Sequence, residues 1–143
     1  MGPAPRPQIG IGLLVVRGNS ILLGQRKSSH GSGEYGGPGG HLEAMESFED
    51  CIKREMREEV GTKMKIKNLR FLCVTNLTKY PPKHYVDIGM VADWRSGEPE
   101  LMEPDKLVSW DWYDLDNLPT PFFACLDNYL EALRTGTRYF PHV

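Results

Sequence analysis

Three glutamates, Glu55, Glu58 and Glu59, have a spacing in this sequence that could support chemistry. On an α-helix, positions i, i+3 and i+4 lie on one face, so the three carboxylates would project side by side. Carboxylate oxygens without nearby histidine or cysteine ligands suit Mg²⁺, with Mn²⁺ as the alternative metal. Because Mg²⁺ takes further oxygens from substrate phosphates, this grouping favours phosphate chemistry.

The helix that carries these glutamates is predicted over residues 48–60. Ser47 can cap its first turn, with Asp50 three residues further on, in a close variant of the capping box. Gly61 is placed to end the helix in a left-handed conformation. Both ends are therefore marked by local signals.

The position of the acids on this helix favours a metal site over a solvated charged face. At about 100° per residue, Glu55 and Glu59 fall within about 60° of the apolar residue Phe48, and Glu58 falls within about 80°. The acids thus continue the apolar stripe. Partial burial of neighbouring carboxylates raises their pKa values unless a cation neutralises them.

The surrounding spacing resembles the signature of a known family. Gly40, five residues, Glu46, seven residues and then REMREEVG from Arg54 onward match G-x5-E-x7-R-E-U-x-E-E-x-G-U of the Nudix (MutT-like) hydrolases, where U is a bulky aliphatic residue. Every charged and glycine position agrees. Two positions depart: Thr62 replaces the final aliphatic residue, and Gly37 stands where many relatives have a bulky apolar residue.

The resemblance covers essentially the whole chain and implies an α/β fold, an α/β/α sandwich with a mixed β-sheet between helices. The segments 84–86 and 103–112 are similar to the nucleoside triphosphate diphosphatase-like branch. This branch implies Mg²⁺-dependent hydrolysis of a nucleoside triphosphate, with a normal or oxidised base, to nucleoside monophosphate and pyrophosphate. The alternatives are nucleoside diphosphate sugars, other diphosphate-linked substrates, and a nucleotide sensor that does not cleave its ligand.

The resemblance also implies metal-binding residues. Glu58 and Glu59 are the expected ligands, helped by a carbonyl oxygen from Gly39 or Gly40. Glu55 is either a further ligand or the general base, because a carboxylate beside an activated water can take its proton. The spacing does not decide whether Glu55 or an acidic residue of the later loop is the base.

Two further residues are expected to support this group. Arg54 would orient Glu55 through a charge-assisted hydrogen bond, and Glu46 would support the loop or the metal shell. With Glu55 and Glu58, Arg54 completes the predicted catalytic set.

Contacts with a substrate are predicted at four residues, three in the first two strands and one in the strand at 85–94. Arg26 could hold a polyphosphate or be a solvated surface residue. Asp87 could accept hydrogen bonds from an amino-bearing base such as guanine or cytosine, or lie on a wet strand face. Gly10 and Gly12 share one strand face, where they allow either a tight contact or room for a substrate.

The later part of the chain offers two more pairs of candidates. Glu103 and Asp105 could supply a further metal-binding or water-activating carboxylate, or belong to a solvated loop. Phe122 and Phe123 could stack on a base or form part of the core.

The elements expected to position these residues are five strands and two helices. A single domain is predicted over residues 8–143, after a flexible N-terminal segment at 1–7. A loop rich in glycine and serine is predicted over residues 28–40. The strands are predicted at 9–16, 20–26, 66–75, 85–94 and 107–113, and a second helix at 122–133.

Length and charge limit the class of partner. A chain of 143 residues with a net charge of −2 suits one domain and a small-molecule nucleotide partner, and argues against a nucleic acid polymer or an acidic membrane surface. No segment approaches the roughly 20 apolar residues of a membrane-spanning helix. Three cysteines without a C-x-x-C pair suggest reduced thiols and a cytoplasmic location. The four histidines show no metal-binding spacing, and a homodimer is compatible with the sequence.

Overall fold

The computed structural model of this protein describes residues 5–27 and 30–142. Most of the flexible segment predicted at 1–7 lies outside the described residues, and the first strand begins at Gln8. The elements in chain order are β1 Gln8–Arg17, β2 Ser20–Arg26, β3 Tyr35–Gly36, β4 Gly39–His41, α1 Phe48–Glu59, β5 Lys65–Leu77, β6 Tyr85–Ser96, β7 Leu107–Asp114, α2 Leu126–Thr135 and β8 Tyr139–Phe140.

The strands form one mixed sheet. Its order is β3-β2-β1-β6-β5-β8, with β4 paired to β1 and β7 paired to β2. β1 runs parallel to β6, and β5 runs parallel to β8, whereas the other pairs are antiparallel. The hairpin of β1 and β2 stays paired only near its turn, so the first half of β1 is free to pair with β4. This arrangement brings β4 and β6 to opposite sides of β1.

One helix covers each face of the sheet. Alternate residues of a strand point to opposite faces, and β1 accordingly sends Leu13 to the core beneath α1 and Leu14 to the core beneath α2. Ile52 and Met56 are the contribution of α1 to the first core, and Leu126 is part of the second. The predicted α/β/α sandwich with a mixed sheet is confirmed.

The start of the last helix differs from the prediction. Helix α2 begins at Leu126, four residues after the predicted start. The preceding residues are held extended by β3, because the amide of Phe123 donates to the carbonyl of Tyr35 at 2.8 Å. Ala124 then adopts a φ of +47°, which interrupts the chain before the helix. Apolar spacing had assigned residues 122–125 to the helix.

Three short strands were also not predicted. β3 lies within the glycine-rich segment predicted as a loop, β4 begins in that segment and ends one residue after it, and β8 lies close to the C-terminus. Each has only two or three residues, so no alternating pattern could mark it. They form because neighbouring strands offer backbone partners.

The cysteines and helices add two further observations. Cys51, Cys73 and Cys125 are all buried free thiols, and burial raises the pKa of each. Across the described part of the chain, no helix is long and apolar enough to cross a membrane.

Candidate active site

Helix α1 places Arg54 between two carboxylates. Its Nε and Nη2 atoms donate to the two oxygens of Glu46 at 2.7 and 3.0 Å, and Nη1 donates to Oε1 of Glu55 at 2.8 Å. Nη2 also donates to the carbonyl of His41 at 3.0 Å, which ties the helix to β4. The bidentate contact from Arg54 holds the pKa of Glu46 down at about 2, and Glu46 in turn raises the pKa of Arg54.

Glu55 and Glu59 face each other at the inner side of α1. Glu55 is 8% exposed, and its carboxyl group lies within hydrogen-bonding reach of Glu59. Burial, followed by the contact with Glu55, raises the pKa of Glu59 well above its ordinary value. The amide of Gly39 approaches Oε2 of Glu59 at 3.4 Å. Two carboxylates in such a position need either a shared proton or a cation.

Glu58 takes a different orientation. Its side chain is 52% exposed, and its Oε1 lies 3.6 Å from Nη1 of Arg54. Glu58 therefore edges the site, while Glu55 and Glu59 form its buried part.

These residues fit a divalent cation of the Mg²⁺ type. Within residues 5–27 and 30–142, no three histidine, cysteine, aspartate or glutamate side chains converge as a preformed metal cage. Mg²⁺ is commonly bound by one or two protein carboxylates together with waters and substrate phosphates, so it does not require one. The facing carboxylates of Glu55 and Glu59 supply the negative charge that such an ion would neutralise.

Strand β4 can approach these carboxylates because it consists largely of glycine. Gly39 and Gly40 pair with Gly12 and Ile11 of β1. A Cβ atom on Gly40 would overlap the carboxylate of Glu55, and one on Gly39 would overlap the carbonyl oxygen of Ile11. The glycine pair thus allows the backbone to contact both the sheet and the acidic group, which consists of Glu55, Glu58 and Glu59.

Gly37, one of the two departures from the family signature, is also closely packed. A Cβ atom there would overlap the carbonyl oxygen of Leu13. The loop is therefore tightly held against β1 at this residue.

A cavity of about 560 Å³ lies beside the acidic group and collects most of the predicted site residues. Those that line it are Arg26, Gly39, Gly40, Arg54, Glu55, Glu58, Glu59, Asp87, Glu103 and Phe123. Three predicted residues do not. Glu46 lies behind Arg54, Asp105 is exposed in the turn before β7, and Phe122 pairs with Tyr35 of β3 so that its neighbour Phe123 faces the cavity.

Asp87 does not lie on a wet strand face. It is 9% exposed, and its Oδ2 accepts a hydrogen bond from the hydroxyl of Tyr129 at 2.5 Å. Burial raises the pKa of Asp87 to about 6, and hydrogen bonds from Tyr129 and Cys125 oppose this rise.

The two glycines of β1 have different surroundings. A Cβ atom on Gly12 would overlap the hydroxyl of Tyr129, so Gly12 serves a tight contact with α2. Gly10 lies beside Asp87 and lines the cavity. Gly12 lines the same cavity, so the tight contact applies to Gly12, and room for a substrate at Gly10 stays a prediction.

Arg26 is half-buried at the cavity wall. Its Nε donates to the carbonyl of His30 at 3.2 Å, and its guanidinium lies 3.8 Å from the centroid of the Phe123 ring. Burial lowers the pKa of Arg26, and the nearby Glu59 opposes this effect. Arg26 is thus a cation that faces the same cavity as the acidic group.

Two residues near the site were not predicted from the sequence. Tyr129 reaches Asp87 from α2, and Nε1 of Trp110 on β7 donates to the carbonyl of Glu59 at 2.9 Å, which holds the end of α1. Tyr129 lies in the apolar pattern of a helix, and Trp110 in that of a strand. Neither pattern distinguishes a site residue from a core residue.

Comparison with known proteins agrees with this fold. The NUDIX domain family model matches residues 6–133. The NAD-capped RNA hydrolase NudC of Pseudomonas aeruginosa is 36% identical over 115 residues, which cover 80% of this chain and 39% of that protein. NudC of Pseudomonas putida is 34% identical over 135 residues, which cover 94% of this chain and 46% of that protein. The chain thus spans less than half the length of these curated relatives.

A solved structure shows the same architecture along its whole length. The MutT NUDIX hydrolase from Burkholderia pseudomallei superposes with a TM-score of 0.83 at 33% identity, and the match covers 90% of this chain and 99% of that one. Since the family model and this structure both match most of the chain, the protein belongs to the Nudix (MutT-like) hydrolase family.

Proposed function

We propose that this chain hydrolyses a phosphoanhydride bond of a nucleotide, with Mg²⁺ or Mn²⁺ as cofactor. The preferred substrate is a nucleoside triphosphate with a normal or oxidised base, which gives nucleoside monophosphate and pyrophosphate. The observation that carries this proposal is the pair of facing carboxylates, Glu55 and Glu59, at a cavity that also contains Asp87. A cation that neutralised this pair would draw a diphosphate to the same place.

Each residue of the acidic group has a distinct part in this proposal. When bound, the divalent ion would neutralise phosphate charge and help to activate the attacking water. Glu59 and Glu58 would hold the ion, with the backbone of Gly39 and Gly40 close by. Glu55 either joins them or takes the proton of the water, and Arg54 fixes its orientation through Oε1.

The rest of the cavity would bind the nucleotide. Arg26 faces the acidic group and can pair with a phosphate oxygen. Asp87 can accept a hydrogen bond from an amino-bearing base, and Phe123, whose ring already contacts Arg26 and Tyr80, contributes an apolar part of the cavity wall. Glu103 lines the cavity and could supply the late carboxylate, but it also lies 3.4 Å from Lys106.

A second candidate substrate is a dinucleotide joined by a diphosphate, either free or at the end of an RNA. It is favoured by the relatives that are named NAD-capped RNA hydrolases. Arg26, Lys83 and Lys106 line the cavity and could accompany a longer phosphate chain. The expectation that the partner is not a nucleic acid polymer therefore has to be tested.

A substrate panel with Mg²⁺ separates these candidates. Normal and oxidised nucleoside triphosphates, nucleoside diphosphate sugars, NAD and an NAD-capped RNA are incubated with the protein, and the products are identified by mass. Nucleoside monophosphate and pyrophosphate support the first candidate. Cleavage confined to NAD or capped RNA supports the second. Binding of a nucleotide without any product would indicate a sensor and contradict hydrolysis.

Variants connect turnover with the acidic group. Glu58→Gln and Glu59→Gln should lose turnover while remaining folded, and EDTA should abolish it in the unmodified protein. Glu49→Gln is the matched control, because Glu49 is exposed in the first turn of the same helix and away from the cavity. Full activity in Glu59→Gln would contradict the assignment of the metal site.

A further inference from the structure

Tyr129 of α2 occupies a slot made by two paired glycines. Gly12 of β1 and Gly89 of β6 are direct partners in the parallel pair of strands. A Cβ atom on Gly12 would overlap the hydroxyl of Tyr129, and one on Gly89 would lie 2.7 Å from its ring. Two adjacent strands thus lack side chains where the tyrosine ring lies.

The hydroxyl of Tyr129, like its ring, has a defined partner. It is buried, and it donates to Oδ2 of Asp87 at 2.5 Å. A buried phenol and a buried carboxylate each cost free energy unless they are hydrogen-bonded, so apolar packing alone would be served better by phenylalanine. The hydrogen bond therefore indicates a role for Tyr129 other than packing in the core.

The consequence of the contact is the orientation of Asp87. Tyr129 donates to Oδ2 of this carboxylate. Oδ1 lies next to Gly10, where an added Cβ atom would be 3.4 Å away, and both residues line the cavity. Because Gly10 has no side chain, the approach to Oδ1 stays open.

We infer that Tyr129 is a positioning residue for substrate selection, which holds Asp87 with one carboxylate oxygen directed to an amino group of the nucleotide base. This inference rests on the proposed function, in which Asp87 contacts the base. Tyr129 acts through Asp87 and leaves the phosphate chemistry to the acidic group of α1. The selection favours a base with an amino group over its counterpart with a hydrogen or a carbonyl oxygen at that position.

The surroundings of Asp87 support a pH-dependent selection. The titratable groups that face it are Tyr129 of α2, Cys125 just before that helix, Cys73 of β5 and Tyr85 of its own strand, whereas β1 presents glycines. The hydrogen bonds from Tyr129 and Cys125 lower the pKa of Asp87 against the effect of burial. Loss of the tyrosine hydroxyl would raise it, so that less of the accepting carboxylate remains at neutral pH.

The test uses Tyr129→Phe in the full chain, because phenylalanine keeps the ring in its slot. KM and kcat are measured from pH 5.5 to 8.5 for two pairs of triphosphates, GTP with ITP and CTP with UTP, which differ in the amino group. We expect the KM for the amino-bearing member to rise on the order of tenfold near pH 7, as suits one hydrogen bond to a charged group. We expect kcat to change less than about twofold, since the phosphate site is untouched. Titration of groups at the metal site affects both nucleotides of a pair equally, so its effect cancels in the ratio of their KM values.

Two further variants complete the experiment. Asp87→Asn should remove the pH dependence of the KM ratio, and Tyr113→Phe, which removes a hydroxyl from a tyrosine that does not line the cavity, should behave as the unmodified protein. An unchanged KM ratio in Tyr129→Phe, or an equal loss of kcat for all four nucleotides, would overturn the positioning role. If the unmodified protein neither hydrolyses nor binds any of the four, the proposal of a normal nucleoside triphosphate as substrate fails and this inference fails with it, whereas the oxidised-base and dinucleotide candidates are decided by the substrate panel.

Discussion

The substitution Asp87→Asn should stabilise the protein relative to the unmodified chain by an amount that increases with pH. Burial raises the pKa of Asp87 from its ordinary 3.8 to about 6 in the folded protein. The folded state therefore binds this proton more tightly than the unfolded state, and the free energy of unfolding falls as the pH rises from about 4 to about 6. A pKa difference of about 2 corresponds to about 3 kcal/mol. Asparagine binds no such proton and avoids this loss.

Denaturation with urea at each pH unit from 4 to 8, in EDTA, gives the free energy of unfolding of both proteins. The difference between the variant and the unmodified chain should rise by about 3 kcal/mol between pH 4 and 6 and then level off. Asp105→Asn is the matched control, because Asp105 is exposed in a turn. A difference for Asp87→Asn that is independent of pH, or that falls with pH, would refute the reasoning.

Two further predictions concern the acidic group. In Gly40→Ala, the new methyl group would overlap the Glu55 carboxylate and should displace it. We expect kcat in steady-state assays to fall on the order of tenfold or more. An unchanged kcat in the presence of Mg²⁺ would contradict the close approach of Gly40 to Glu55. In Arg54→Lys, one ammonium group cannot reproduce the fork that holds Glu46 and Glu55. Activity should fall about 10- to 100-fold, as for other groups that orient metal ligands, and the concentration of Mg²⁺ at half-maximal rate should rise; a fully active lysine variant would show that the fork is not needed.

Helix α1 could be predicted closely because its signals are local. The prediction covered residues 48–60 and the structure has Phe48–Glu59, with the hydroxyl of Ser47 accepting from the amide of Asp50 at 3.0 Å and Gly61 at a φ of +86°. Capping and the 3.6-residue period depend on neighbours within a few positions. The inward position of Glu55 followed from the same period.

The second helix could not be placed as well, because its start depends on a distant strand. Phe122 and Phe123 fit the apolar pattern of a helix, but the backbone of Phe123 pairs with Tyr35, almost ninety positions earlier in the chain. The same pairing decides that Phe123 lines the cavity and Phe122 does not. Spacing along the sequence has no information about such a partner.

The sequence by itself determined the family resemblance, the first two strands and the helix with its row of acids, since each is specified by residues that are close together in the chain. Only the tertiary structure decided that Asp87 is buried, that Tyr129 holds it, and that Glu58 turns outward while Glu55 and Glu59 face each other. Burial and pKa depend on what other elements place against a side chain. Those elements meet only when β1, β6 and the two helices pack together.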